Sequence, residues 1–186
     1  MSVLRGLVLI SRFRREGLAE FEASRNAFLA SLAPLIAFPL VGALMVAQLG
    51  MFVAAISSFL SSLIALLAPL LISEAFARRW GVGERWLHFA VASNWSQCIV
   101  PVLFGVMRIA AWVLVEIGVL PSDEDVVVGL LMMVLIYALA VQWFVVRHGL
   151  GLSRGRTTLL VLGSDLVTGA LVMTPQLIMA GLNPGQ

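Results

Sequence analysis

Five long apolar runs constrain everything else this chain can fold into. They cover roughly residues 27–48, 51–73, 92–120, 126–146 and 157–180. Each approaches or exceeds the ~20 residues that cross a ~30 Å hydrocarbon layer as a helix. In that layer no water reaches the backbone N–H and C=O groups, so a spanning segment must be an α-helix or a strand of a closed barrel. Runs this long and this uniformly apolar belong to helices. The expected fold class is therefore all-α, a polytopic membrane helical bundle. Five transmembrane helices fill residues 26–186, and an N-terminal interfacial amphipathic helix precedes them in residues 1–25. The composition points the same way, with 61% of the 186 residues hydrophobic and 12% charged. Soluble domains hold about 45–50% and about 25%.

In residues 1–25, Val3, Leu4, Leu7, Val8, Ile10, Leu18 and Phe21 favour one side of a helix, and Arg5, Arg12, Glu16 and Glu20 the other. Arg14 and Arg15 intrude on the apolar stripe. Such a helix can lie in the headgroup layer with arginines near lipid phosphates, or pack on the bundle's own end. Glycines at 81 and 83 and tryptophans at 80 and 86 suggest a loop over 74–88 at the membrane border. Ser57, Ser58, Ser61 and Ser62 in the second run suit close helix packing.

All twelve basic residues are arginines. Five precede the first run, three fall in 74–88 and three in 147–156. With five crossings these eleven share one side, whereas Asp123, Glu124 and Asp125 occupy the other. The positive-inside rule then places the N-terminus in the cytoplasm and the C-terminus in the periplasm of a bacterial inner membrane. No clustered basic face suggests nucleic acid. The expected partners are membrane lipids, with a membrane-protein partner or a homo-oligomer as further possibilities. The single cysteine, Cys98, excludes an intrachain disulfide.

The twelfth arginine, Arg108, sits inside the third run. A mid-bilayer arginine costs about 2.5–3.5 kcal/mol on insertion scales. With a start near Ala90 or Ser96, Arg108 lies ~15–18 Å deep, and Asp165 in the fifth run lies ~12 Å deep from the same face. The expectation is a buried Arg108–Asp165 pair. Asn94 and Gln142, polar groups near the same face, complete a candidate buried polar site and suit mutual hydrogen bonding or helix capping. A paired Arg–Asp is internally neutral, which favours a structural role over an ion or proton site.

No catalytic constellation, cofactor-binding motif or metal site stands out, and no enzyme activity is expected. An intramembrane enzyme would need His88, His148 and an acid gathered in one pocket. Two histidines alone fall short of the three or four ligands of zinc.

At Asn94-Trp95 and Gln142-Trp143-Phe144 the chain resembles a group of small alphaproteobacterial membrane proteins and, more distantly, the Yip1 superfamily. The resemblance covers most of the chain but rests on these short motifs and the general layout. It implies five spans, a cytoplasmic N-terminus and an organising or accessory role for lipids or partner proteins. The chain lacks the loop motifs and the long N-terminal domain of eukaryotic Yip1 proteins, so their trafficking partners do not carry over. The leading expectation is this non-catalytic role. The alternative is a small transporter or ion-conducting subunit using the buried Arg–Asp site.

Overall fold

A computed structural model of the chain describes residues 2–119 and 124–182, with the side chains of 2–119 and 127–173. The described residues are helical with short connections and contain no strand. Helix α1 (Val3–Ser11) is followed by a 3-10 turn at Arg15–Glu20, then α2 (Arg25–Gln48) and α3 (Phe52–Arg79). After a second 3-10 turn come α4 (Trp86–Gln97), α5 (Ile99–Glu116), α6 (Glu124–Leu150) and α7 (Arg154–Leu182). Five helical stretches are long and apolar enough to cross a membrane, with α4 and α5 making one crossing between them. The chain fits an integral membrane protein.

Local chemistry sets the boundaries. Ser24 caps α2, its hydroxyl accepting from the Ala27 N–H at 3.1 Å, a standard N-cap arrangement. Gly50 turns the chain between α2 and α3 at φ 80°, a left-handed conformation that glycine adopts without a Cβ penalty. The loop expected over 74–88 is much shorter. Helix α3 continues to Arg79, its last turns carrying a Glu74–Arg78 pair at 2.6 Å in i,i+4 register, which supports helix. Gly81, at φ 71°, follows its end.

The third crossing begins earlier than the sequence suggests, at Trp86. It breaks at Cys98. Pro101 offers no N–H to the Gln97 carbonyl four residues back, which interrupts the hydrogen-bond ladder there. The two halves differ in surroundings. Phe89, Ala90, Val91, Ala92, Asn94 and Ser96 of α4 are buried, whereas α5 has no buried residue.

The N-terminal segment is not one helix. It breaks after Ser11, and Phe13 takes φ 56°. Rings of Tyr137 and Phe144 hold Phe13 edge-on, at centroid distances of 5.9 and 5.6 Å. The Tyr137 hydroxyl donates to the Ser11 carbonyl at 2.8 Å, and Arg5 pairs with Glu20 at 3.3 Å. Ile10, Leu18 and Phe21 are buried against α4 and α6, while Leu4 and Val8 stay exposed. The segment thus packs on the bundle's own end. This is the end that gathers the arginines, where Arg147 lies over the Trp143 ring and Arg156 over Trp80.

The apolar core lies towards this arginine-rich end, in Phe89, Val91, Val141, Val145, Leu150 and their neighbours. Away from it the helices expose large apolar side chains such as Val53, Ile109 and Ile136, as expected where lipid tails replace water. One polar contact ties α2 to α4. The Asn94 amide donates to the Ser31 hydroxyl at 2.8 Å, and both residues are fully buried. Replacing Ser31 by alanine is expected to cost about 1–2 kcal/mol of unfolding free energy in detergent. In an Asn94→Leu background the same change should cost markedly less; equal costs in both backgrounds would mean the bond contributes nothing.

Candidate functional site

A cavity of about 320 Å³ opens inside the bundle between α3, α4, α6 and α7. Polar groups reach it from every one of these helices: Ser73 from α3, Ser93, Ser96 and Gln97 from α4, Gln142 from α6, and Ser164, Asp165 and Thr168 from α7. On α7 the three polar positions follow i, i+1 and i+4, which places them on one face of the helix.

Among the described residues the cavity's carboxylate is Asp165. It accepts a hydrogen bond from the Gln142 amide at 2.9 Å and is half-buried. Among the described residues no arginine is paired with it. The Arg108–Asp165 pair expected from the sequence is therefore absent, and the reason is depth. Because the third crossing starts at Trp86, Arg108 lies ~33 Å along it and ~12 Å short of Glu116, whereas Asp165 lies ~16 Å from the start of α7, at about 1.5 Å per residue. Arg108 is exposed on α5 and makes no ion pair among the described residues. Asn94 does not meet Gln142 either, since its amide is engaged with Ser31. Of the four candidate residues, only Asp165 and Gln142 come together.

The other walls are rich in acceptors. Ser96 and Ser164 donate their protons to carbonyls of their own helices, Ser93 and Val161, which leaves their oxygen lone pairs free. Pro69 lines the cavity and gives no N–H to the Ala65 carbonyl. Pro101 likewise leaves the carbonyl of Gln97 without its usual donor; Ala65 and Gln97 both line the cavity. The Thr168 hydroxyl is buried and has no hydrogen-bond partner among the described residues. Ser73 is the exception, because its oxygen already accepts from the Trp86 indole at 3.1 Å.

Ala65 also borders a second, more open groove lined by Ser57, Ser58, Ser61, Ser62 and Val172. The serines of α3, expected to serve packing, therefore continue the polar surface towards the opposite membrane face. The sequence reading missed Ser73, Ser93, Ser96, Ser164 and Thr168. The spacing of the α7 set was the available signal.

His88 and His148 share a groove at the arginine-rich end with Glu22 and Glu84. Each ring bonds a backbone carbonyl, Leu18 for His88 and Phe144 for His148, both at 2.9 Å. The groove lies at the end of the bundle, not within it. Among the described residues no group of three or more His, Cys, Asp or Glu could hold a metal ion. No family model, curated protein or solved structure matches this chain.

Proposed function

We propose that this chain is a small multi-pass transporter or conducting subunit of the bacterial inner membrane, taking a small monovalent cation or ammonium compound into its cavity at Asp165. The observation that carries the reading is a half-buried intramembrane carboxylate with no cationic partner among the described residues, facing a wall of acceptors. The argument for a purely structural role was the neutrality of an Arg–Asp pair, and that pair is absent. Ionisable groups within membrane segments mark ion and substrate pathways by default. One carboxylate with hydroxyl and carbonyl oxygens suits a ligand that carries one positive charge and donates hydrogen bonds or accepts oxygen ligation. The serine groove beyond Ala65 offers a continuation towards the other face. We read the arginine-rich end, with the N-terminal segment packed on it, as cytoplasmic and the C-terminus as periplasmic. The role is binding and passage, without catalysis.

The test is uptake of sodium, potassium and methylammonium into vesicles holding the purified chain. Asp165→Asn keeps the size of the side chain and an oxygen for Gln142, and it should lower uptake at least roughly tenfold. Flux no higher than in empty vesicles, or flux unchanged in the variant, would end this reading. A second reading, the organising or accessory role implied by the Yip1-like resemblance, is favoured by a separate feature: the uncovered surface of α5.

A further inference from the structure

We infer that α5 is a docking surface for a membrane-spanning helix of another protein, one that carries a carboxylate at the depth of Arg108. This does not depend on what the cavity binds. Helix α5 has no buried residue. Its apolar residues Val106, Ile109 and Trp112 are 60–66% exposed, which lipid alone would satisfy. Arg108 is what lipid tails do not satisfy. It lies in the same exposed helix, one turn before Trp112, and makes no ion pair among the described residues.

Escape to headgroups is poor from this position. The outer end of α5, at Glu116, lies ~12 Å away along the helix. In an α-helix the Cα–Cβ bond tilts towards the N-terminus, which for α5 is the inward direction, back towards the bilayer centre. A stretch to the outer headgroups works against that tilt. Glu116 is two turns further on and does not reach it.

A second copy of the chain fits badly. The arginines fix one orientation in the membrane, so copies related by a two-fold axis along the membrane normal present α5 in parallel. Arg108 would then face Arg108 at equal depth. Nor does a copy bring a carboxylate to that level. Asp165 lies in the other half of the membrane and is engaged by Gln142, and Glu116 sits at the helix end. What remains is a different helix with an Asp or Glu at matching depth. A cation and a carboxylate that are each costly in hydrocarbon offset one another there. Gly105, three residues before Arg108, has open space where a Cβ would stand. It allows a partner backbone to come close.

The test uses a synthetic leucine–alanine helix of about 22 residues bearing one Asp at the matching depth, and the same peptide with Leu in that place. Each is reconstituted with the full chain in phosphatidylcholine vesicles. Energy transfer is read from a dye on Val119→Cys in a Cys98→Ala background. The Asp peptide should associate with the chain roughly tenfold more tightly than the Leu peptide. Arg108→Leu should abolish that preference, and Arg108→Lys should retain part of it. Among the described residues Arg108 makes no ion pair or hydrogen bond to another helix, so folding of these variants, checked by thermal unfolding, should be unchanged. Equal binding of the two peptides overturns the proposal, as does a preference that survives in Arg108→Leu. So does self-association of the chain through α5 that Arg108→Leu removes.

Discussion

A valine at Gly17 is expected to lift the N-terminal segment off the bundle while leaving the five crossings in place. A Cβ at this buried position would stand 2.8 Å from the Gly6 carbonyl oxygen, 2.8 Å from the Leu9 Cβ and 2.9 Å from the Ile10 nitrogen. Two of these are backbone atoms of α1 and cannot yield by a change of rotamer. The opposite side is equally tight, since a Cβ at Gly6 would meet the Phe21 ring at 2.8 Å. Two glycines therefore let α1 and the 3-10 turn touch backbone to backbone. Overpacking that no side chain can relieve costs about 3 kcal/mol or more. At ~1.4 kcal/mol per tenfold, amide exchange across residues 3–20 should quicken at least roughly a hundredfold. Gly42→Ala is the control, because open space surrounds its Cβ position; it should leave exchange in this segment unchanged. Normal protection in Gly17→Val would show that the contact is not needed for docking.

Leucine at Gln142 should have the second large effect. The Gln142 amide is the direct hydrogen-bond donor to Asp165 among the described residues. Hydrogen bonds to charged groups contribute about 1.5–3 kcal/mol. Gln142→Leu should destabilise the chain by about that much. Asp165→Leu added to it should recover a large share, because the stranded charge is gone. Unfolding in detergent reads both. Uptake separates stability from function: the double variant should fold and stay inactive. A double variant that folds no better than Gln142→Leu would show that the two side chains are not coupled.

The helical class and the five crossings were legible because hydrocarbon leaves the backbone so few options. Depth was harder to read. Ser93, Asn94, Ser96 and Gln97 make the start of the third crossing resemble a border region, which sets its start near Ala90 or Ser96 and brings Arg108 to a depth similar to that of Asp165. In fact α4 hides two of these polar groups against its neighbours: Asn94 is fully buried and Ser96 nearly so. A hydropathy pattern records how polar a residue is, but not whether a serine or amide has found a partner on another helix. The same gap explains the site. Asp165 and Gln142 stood out as isolated polar residues in apolar runs. Their pairing needed the packing of α6 on α7. The serines around them read as ordinary small packing residues, because their role depends on which wall they face.

The break at Cys98 joins two half-crossings with different surroundings, α4 held by protein and α5 open to lipid. A bilayer that is thicker or thinner than the chain's apolar length must be accommodated by tilt, bending or local deformation. Helix α4 is anchored on several sides and resists reorientation, whereas α5, with no buried residue, is held less firmly. Hydrophobic mismatch would then concentrate at a single joint. It would change the depth of Arg108 without disturbing Asp165, so membrane thickness could act on one surface of the molecule while sparing the other.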